Sequence, residues 1–401
     1  MHPCIAILGN TNNNHFSLMR YFRDLGLDVS LLLYSTDGLP PNAHFIPEND
    51  TWEFERWRPY IIRTPVPNGS IKGLTYVFRK SELRKMLSRY NILIGNGFAP
   101  AYAWLAGRIL DLFLPYSHGG EFINTDVSGK VHSDLSAWVQ KRLQISGLRN
   151  SVKYTCTADF TEGNLRFFRK YGINNLINLA IPMVYNREII HSNPRHLRPE
   201  VAEIAKTMDQ TGFVVFSHVS HIWKNLVHGF DLKKNQIFLQ GFAGFIRMVK
   251  NMDIRLFMIE YGPDVDASKK LIAELGMNDH VTWLSKMSRK EIMYLLRFVD
   301  IGASEFGGAM WGGTGWEFIA SGVPFMHYID LEQYTFEQVN GYPLPPIFNT
   351  RTPEEIAQVL LEASQNRTRL HETGEKLKKW FNTYNGIALA EKIAALVLPQ
   401  E

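Results

Sequence analysis

The sequence predicts an α/β protein made of two doubly wound domains in tandem. Three observations predict it. Short apolar runs alternate with segments of helical spacing, in two separate series along the chain. A polar stretch containing Pro194 and Pro199 separates the two series. The charge changes sign across it: residues 1–200 carry 23 basic and 16 acidic side chains (+7), and residues 201–401 carry 20 and 23 (−3). A chain of 401 residues, 45% hydrophobic and 20% charged, has enough apolar material for two cores.

CIAILG (Cys4–Gly9) is an apolar run closed by glycine and reads as a buried strand. After the loop NTNNNH, the segment FSLMRYFRDLG sets Phe16, Met19, Tyr21, Phe22 and Leu25 near helical spacing, with Gly26 as its stop. VSLLLY (Val29–Tyr34) is the next strand and completes a βαβ unit. Residues 38–75, rich in Pro and Trp, read as irregular. RKSELRKMLSRY then reads as a basic helix and NILIG (Asn91–Gly95) as a strand. AYAWLAGRIL, opened by Pro100, is a helix, and LFLPYS is a strand ending at HGGE. KYTCTA (Lys153–Ala158) and NLINLAIP, which ends at Pro182, are strands with a helix between them.

The second series opens at FVVFSHVS (Phe213–Ser220). Its further strands are IRLFMIEYG, VTWLS, DIGASEF and VPFMHYI, and its helices are IFLQGFAGFIRMVK, DASKKLIAELG, RKEIMYLLRFV and TGWEFIASG. PEEIAQVLLEAS and RLHETGEKLKKWFNTYNGIALAEKIAALVL close the chain as helices. The expected organisation is a first domain over 1–185, a linker over 186–211, a second domain over 212–385, and a terminal helix over 386–401 that returns to the first domain. Doubly wound sheets bind ligands beyond the carboxyl ends of their strands, so the cleft between two of them is the expected site.

Composition excludes several classes. A net charge of only +4 argues against a nucleic-acid partner. Two cysteines, Cys4 and Cys156, cannot build a disulfide framework or a cysteine metal site, which fits a reducing compartment. No apolar run reaches the ~18 residues of a membrane-spanning helix, and the N-terminus runs directly into a strand instead of a signal peptide. A cytoplasmic protein is expected.

Four loops have residues suited to chemistry. Gly9–Asn14 follows the first strand, where a dinucleotide-binding protein carries G-x-G-x-x-G; a single glycine stands there, so that fingerprint fails. Asn10 and Asn13 suit either a cap for the next helix or a polar floor for an acceptor's hydroxyls. His118-Gly119-Gly120-Glu121 ends a strand. Its glycines let a ligand approach the backbone, His118 can donate to a sugar hydroxyl or phosphate, and Glu121 can accept from hydroxyls. In the second series His218, His221, Lys224, Lys233 and Lys234 cluster before a helix N-terminus, a combination suited to a diphosphate. EFGGAMWGGTGWEFIASGVP (Glu305–Pro324) joins a strand to a helix and holds five glycines before Glu317. Thr314, Gly315, Trp316 and Glu317 also fit a T-x-x-E capping box. Glu305, at the strand end, can point into the cleft.

In order along the chain, FSHVSHIWK, Lys233 before IFLQGFAGF, MIEYGPD, VTWLSKMSRKEIMYLLRFVDIGAS and EFGG…TGWEFIASGVP resemble the nucleotide-sugar domain of the family-4 retaining glycosyltransferases, which have the GT-B fold. PYSHGGE is similar to that family's His-Gly-small-acid loop. The resemblance covers most of residues 210–395 and extends to the first half in topology. Two departures stand out. Eleven residues separate Glu305 from Glu317 where the family has seven, and the family's arginine in the basic loop is replaced by His221 or Lys224.

The resemblance implies two Rossmann-like domains and transfer of a hexosyl group from a nucleotide-diphosphate sugar to a hydroxyl, with no cofactor and no metal. Lys233, assisted by His221 or Lys224, would stabilise the leaving diphosphate. Glu317 would accept from the ribose hydroxyls. Glu305 would contact the donor sugar, with the amides of Gly313, Thr314 and Gly315 beside it, and His118 would hold the sugar from the other domain. Asn10, Asn13, Gly119 and Glu121 would face the acceptor.

That acceptor is expected to be a glycan or a lipid-linked glycan of a surface polysaccharide or glycoconjugate. Arg79–Arg89 has five basic residues and one acid, and Ser136–Lys153 mixes Trp138, Leu143, Ile145 and Leu148 with Lys141, Arg142, Arg149 and Lys153. Such helices suit peripheral contact with an anionic membrane at its inner face. Two other readings compete: a nucleotide-sugar 2-epimerase, and a protein that binds a nucleotide sugar or glycan without turnover.

Overall fold

The computed structural model describes residues 3–35, 46–68, 75–116, 121, 135–156, 162–188, 194, 196–224, 233–249, 252–331 and 336–399. The chain forms two compact units. One is Met1–Tyr185 with Phe336–Pro343 and Asn382–Glu401; the other is Asn186–Thr335 with Leu344–Phe381.

The first unit is built on seven parallel strands: β1 (Ile5–Leu8), β2 (Val29–Leu33), β3 (Ile61–Arg63), β4 (Ile92–Gly95), β5 (Leu110–Phe113), β6 (Val152–Cys156) and β7 (Leu176–Ile177). Their order is β3-β2-β1-β4-β5-β6-β7. β1 and β4 are buried along their whole length, as continuous apolar runs covered on both faces must be. Helices Lys80–Leu87, Ala99–Ala106, Leu135–Asn150 and Glu162–Tyr171 contribute to one core with Leu8, Leu93, Phe113 and Val152. Helix Asn14–Asp24 packs with helix Gly386–Val397. Asn178 Nδ2 donates to Val339 O at 2.9 Å and Asn385 Nδ2 to Ile181 O at 3.1 Å, which ties the late segments to this unit.

The second unit has six parallel strands: β8 (Phe213–Ser217), β9 (Ile254–Ile259), β10 (Val281–Leu284), β11 (Ile301–Ala303), β12 (Phe325–His327) and β13 (Phe348–Asn349), in the order β10-β9-β8-β11-β12-β13. Phe213, Val215, Leu256, Met258, Ile301 and Met326 form its core with Phe238, Phe242 and Phe245 of helix Asn235–Met248 and with Ile356 and Leu360 of helix Pro353–Gln365.

In each sheet the strand order reverses once, between β1 and β4 in the first and between β8 and β11 in the second. These are the switch points at which open α/β sheets leave a crevice for a ligand.

The structure differs from the sequence reading at several elements. Residues 38–75 contain β3, an edge strand of three residues. The helix after Pro100 ends at Ala106, because Gly107 takes the left-handed conformation (φ 66°), and Leu110 belongs to β5. Residues 199–210 of the expected linker are a helix, opened by Pro199 at its first turn and burying Val201, Ala205 and Met208. Phe336–Pro343 belongs to the first unit, although the sequence placed it in the second domain. The last helical stretch breaks at Asn385, whose side chain accepts from Gly386 N.

Candidate active site

At the switch point of the second sheet, β8 feeds the loop His218–Lys224. Its neighbours hold this loop. Asp264 accepts from the backbone N–H of Trp223 (2.7 Å) and of Lys224 (2.8 Å). Asn235 accepts from Ile222 N at 3.1 Å and donates to Ser220 O at 3.4 Å. Gly262 lies against it at φ 116°, where a Cβ would come within 2.5 Å of His221 N. The Lys224 side chain is exposed, with its ammonium 5.5 Å from the centroid of the Trp223 ring.

His221 is not where the sequence put it. It is fully buried, its Nδ1 lies 2.8 Å from Ser268 Oγ, and it packs on Trp283. Burial pushes its pKa down to about 4, against the opposing charge of Asp264. A neutral imidazole inside the unit shapes the loop and carries no charge to a phosphate. Among the described residues, Lys224, Lys233 and Lys234 are the lysines of this loop and helix start.

Lys233 precedes helix Asn235–Met248, and its backbone bridges two loops. Its N–H donates to Ile222 O (2.7 Å), and its carbonyl accepts from Phe306 N (3.0 Å). Its ammonium pairs with Glu305 at 2.5 Å; the lysine is partly exposed and the glutamate nearly buried. The strand-end loops after β8 and β11 thus meet through this ion pair and the Phe306–Lys233 backbone hydrogen bond.

Glu317 lies inside helix Gly313–Ser321. The capping box fails because the helix starts two residues earlier than T-x-x-E requires: Gly312 is its N-cap and Thr314 is already helical. Thr314 Oγ1 lies instead 3.5 Å from Ser304 Oγ. Both carboxylate oxygens of Glu317 are engaged, one 2.7 Å from His218 Nε2, the other accepting from Arg289 Nε at 2.7 Å. All three side chains are almost wholly buried. Burial alone would raise the pKa of Glu317, but the His218 hydrogen bond and the Arg289 charge outweigh it and hold it down at about 2. An ionised Glu317 requires the proton on His218 Nε2, and His218 Nδ1 is buried without a partner among the described residues. The imidazole stacks on Phe216 and meets the edge of Phe318.

The three residues expected to offer amides have separate reasons to be there. A Cβ at Gly315 would sit 2.5 Å from the Trp311 side chain, so this glycine serves packing. Gly313 and Thr314 are half-buried in the first helical turn, whose N–H groups have no partner within the helix.

In the first unit, Asn10 and Asn13 are used within the chain. Asn10 accepts from Phe16 N at 2.9 Å and donates to Asn13 Oδ1 at 2.6 Å; Asn13 donates to Ile46 O at 3.3 Å. Both are buried, so they secure the start of helix Asn14–Asp24 and do not form an open polar floor. The Glu121 carboxylate accepts from the N–H of Gly97 (2.6 Å) and of Tyr116, and the Glu121 carbonyl accepts from Gln144 Nε2 (2.6 Å). It joins the ends of β4 and β5. His118 and Gly119 lie outside the described residues.

Sequence reasoning missed Arg289 and His327. Arg289 sits in SRKE, where it looks like one more surface cation near a helix start. His327 ends a strand with no motif around it. Only contacts across the fold single them out.

Comparison with known proteins gives a fold and no family. No family profile matches the sequence, and no curated protein matches it. Solved structures do match. The Anabaena protein HepE, solved with UDP and glucose, has a TM-score of 0.60 at 13% identity, covering 98% of this chain and 99% of its own. A glycosyltransferase from Rickettsia africae has a TM-score of 0.60 at 14% identity, with 98% of each chain covered. WaaG, a glycosyltransferase of lipopolysaccharide biosynthesis, has a TM-score of 0.56 at 12% identity, covering 99% of this chain and all of its own. The chain has the two-domain, Rossmann-like α/β fold of GT-B glycosyltransferases.

Proposed function

We propose that this protein is a metal-independent, retaining glycosyltransferase. It moves a hexosyl group from a nucleotide-diphosphate sugar to a hydroxyl of a glycan or lipid-linked acceptor. The observation that carries this reading is the Lys233–Glu305 pair at the second sheet's switch point, beside the first turn of helix Gly313–Ser321.

The chemistry follows from charge. As the bond between the anomeric carbon and the phosphate oxygen breaks, negative charge accumulates on the diphosphate. A diphosphate offers Lys233 more charge than one carboxylate does, so the ammonium exchanges partners, with Lys224 and the helix N–H groups in support. Glu305, released from Lys233, accepts from the donor sugar's hydroxyls. The acceptor oxygen forms the new bond to the anomeric carbon on the same face, and its proton passes to the departing phosphate oxygen. No protein base is needed. Glu317, with Arg289 and His218 on its oxygens, sets the floor beneath the donor and has lone pairs left for a ribose hydroxyl.

His118 and Gly119 belong to the same proposal through the sequence alone. Contact with an anionic membrane is its other part. Phe78, Leu135 and Trp138 are exposed on the first unit, among the cations of Arg79–Arg89 and of helix Leu135–Asn150. Among the described residues no helix is long and apolar enough to cross a membrane, so the proposed contact is peripheral, at the cytoplasmic face.

The non-catalytic reading is favoured by one observation, that Glu317 already has both oxygens occupied. The 2-epimerase reading needs acids free to move protons, whereas Glu305 and Glu317 are each held by a cation. A thermal-shift screen against UDP-, GDP- and ADP-sugars, followed by assay of nucleotide release with the best of them, separates the readings. Stabilisation with release supports transfer. Stabilisation without release supports binding alone, and no stabilisation by any donor refutes the proposal.

A further inference from the structure

We infer that His327 is a positioning residue for Glu305, a reading that rests on the donor-side role proposed for Lys233 and Glu305. His327 is the last residue of β12, is fully buried, and bridges both limbs of the loop that follows β11. Its Nε2 lies 2.9 Å from Ala309 O, and Glu305 N–H donates to its Nδ1 at 3.3 Å. The next residue completes the clamp, because Tyr328 N donates to Glu305 O at 2.9 Å. Both backbone polar groups of Glu305 are thus held by the dipeptide His327–Tyr328, while its carboxylate meets Lys233.

The tautomer follows from the partners. A carbonyl only accepts, so Nε2 must carry the proton to Ala309, which leaves the Nδ1 lone pair for Glu305 N–H. One neutral ring supplies an acceptor and a donor at fixed separation across the bend. Burial favours that neutral form, and the nearby Lys233 charge adds to it. The Trp311 ring meets the imidazole edge-on, with centroids 5.8 Å apart, which limits its rotation. The Lys233 backbone is fixed through Ile222 and through Phe306, the residue next to Glu305. The clamp therefore sets where Glu305 stands relative to Lys233 when the two separate around a donor.

The test compares His327→Phe, which keeps the ring and loses both hydrogen bonds, with His327→Asn, whose side-chain oxygen can still accept from Glu305 N–H. Donor turnover is measured with whichever of UDP-glucose, GDP-mannose and ADP-glucose stabilises the protein most, and nucleoside-diphosphate affinity is measured by calorimetry. His327→Phe should lower kcat at least tenfold, change the nucleoside-diphosphate Kd by less than threefold, and keep the circular dichroism of the parent. His327→Asn should recover most of the loss. Long-range 1H–15N spectra of the parent should show the Nε2–H tautomer, a readout that needs no donor and covers the case in which His327→Phe does not fold. A folded His327→Phe with kcat within twofold of the parent, or an Nδ1–H tautomer, overturns the inference. Failure of the site reading itself looks different: the parent then shows no turnover and Lys233→Ala leaves donor binding unchanged.

Discussion

Replacing Arg289 with methionine should destabilise the second unit more than any surface substitution, and the size of the loss can be worked from Glu317. Its carboxyl is held at about 2, against 4.5 for an ordinary glutamate, which corresponds to about 3 kcal/mol of folded-state stabilisation at neutral pH. Arg289 is one of its two partners, and breaking a buried ion pair from one side typically costs about 3–5 kcal/mol. At roughly 2–4 °C per kcal/mol for a unit of this size, Tm should fall by about 6–20 °C.

The informative assay is a double-mutant cycle by urea denaturation at pH 7.5. Arg289→Met removes the cation that faces the carboxylate, Glu317→Gln removes the negative charge that faces the guanidinium, and the double variant removes both charges of the pair. The double variant should therefore be more stable than the sum of the single losses predicts, by about 2 kcal/mol or more. Additivity within about 0.5 kcal/mol would refute the reasoning. A pH series gives a second check. The unfolded carboxyl takes up its proton near 4.5 and the folded one near 2, so between those values the unfolded chain binds more protons and stability falls as the pH falls. Above 4.5 the contribution is complete. In Arg289→Met the two values approach each other, and this acid-limb slope should shrink.

Lys233→Ala should weaken nucleoside-diphosphate binding by roughly 10–150-fold, the equivalent of one charged hydrogen bond of about 1.5–3 kcal/mol, read by calorimetry. Gly315→Ala should cost about 1–3 kcal/mol and lower Tm, because the new methyl meets the Trp311 side chain at 2.5 Å. Activity between pH 5.5 and 8 should show no inflection that His221→Gln removes, since the His221 imidazole stays neutral until the pH approaches about 4. A paired Leu135→Ser and Trp138→Ser variant should lose co-sedimentation with phosphatidylglycerol vesicles at low salt while keeping its Tm; unchanged pelleting would discard that surface as the membrane contact.

Much of the fold was legible because its cause is local. A strand buried on both faces must be a continuous apolar run, and CIAILG, NILIG and FVVFS declare themselves that way. What lay at the edges did not. IIR in β3 and FN in β13 are too short to carry a pattern, and they form strands because a neighbour offers its hydrogen bonds. The helix Pro199–Gln210 was hidden in a polar stretch because only Val201, Ala205 and Met208 turn inward.

The candidate site divides in the same way. The sequence by itself determined that a lysine before a helix and an acid at a strand end would come to one switch point, since alternating strands and helices leave little choice of topology. Which group faces which was decided by tertiary structure. His221 and Lys224 stand three residues apart in one loop, yet one is buried and neutral and the other exposed, because Asp264, Asn235 and Gly262 set the path of that loop. Glu317 met the terms of a cap and became half of a buried ion pair, because its partners Arg289 and His218 lie 28 and 99 residues away. The ionisation of a buried group depends on charges brought near by packing, and spacing along the chain carries no record of them.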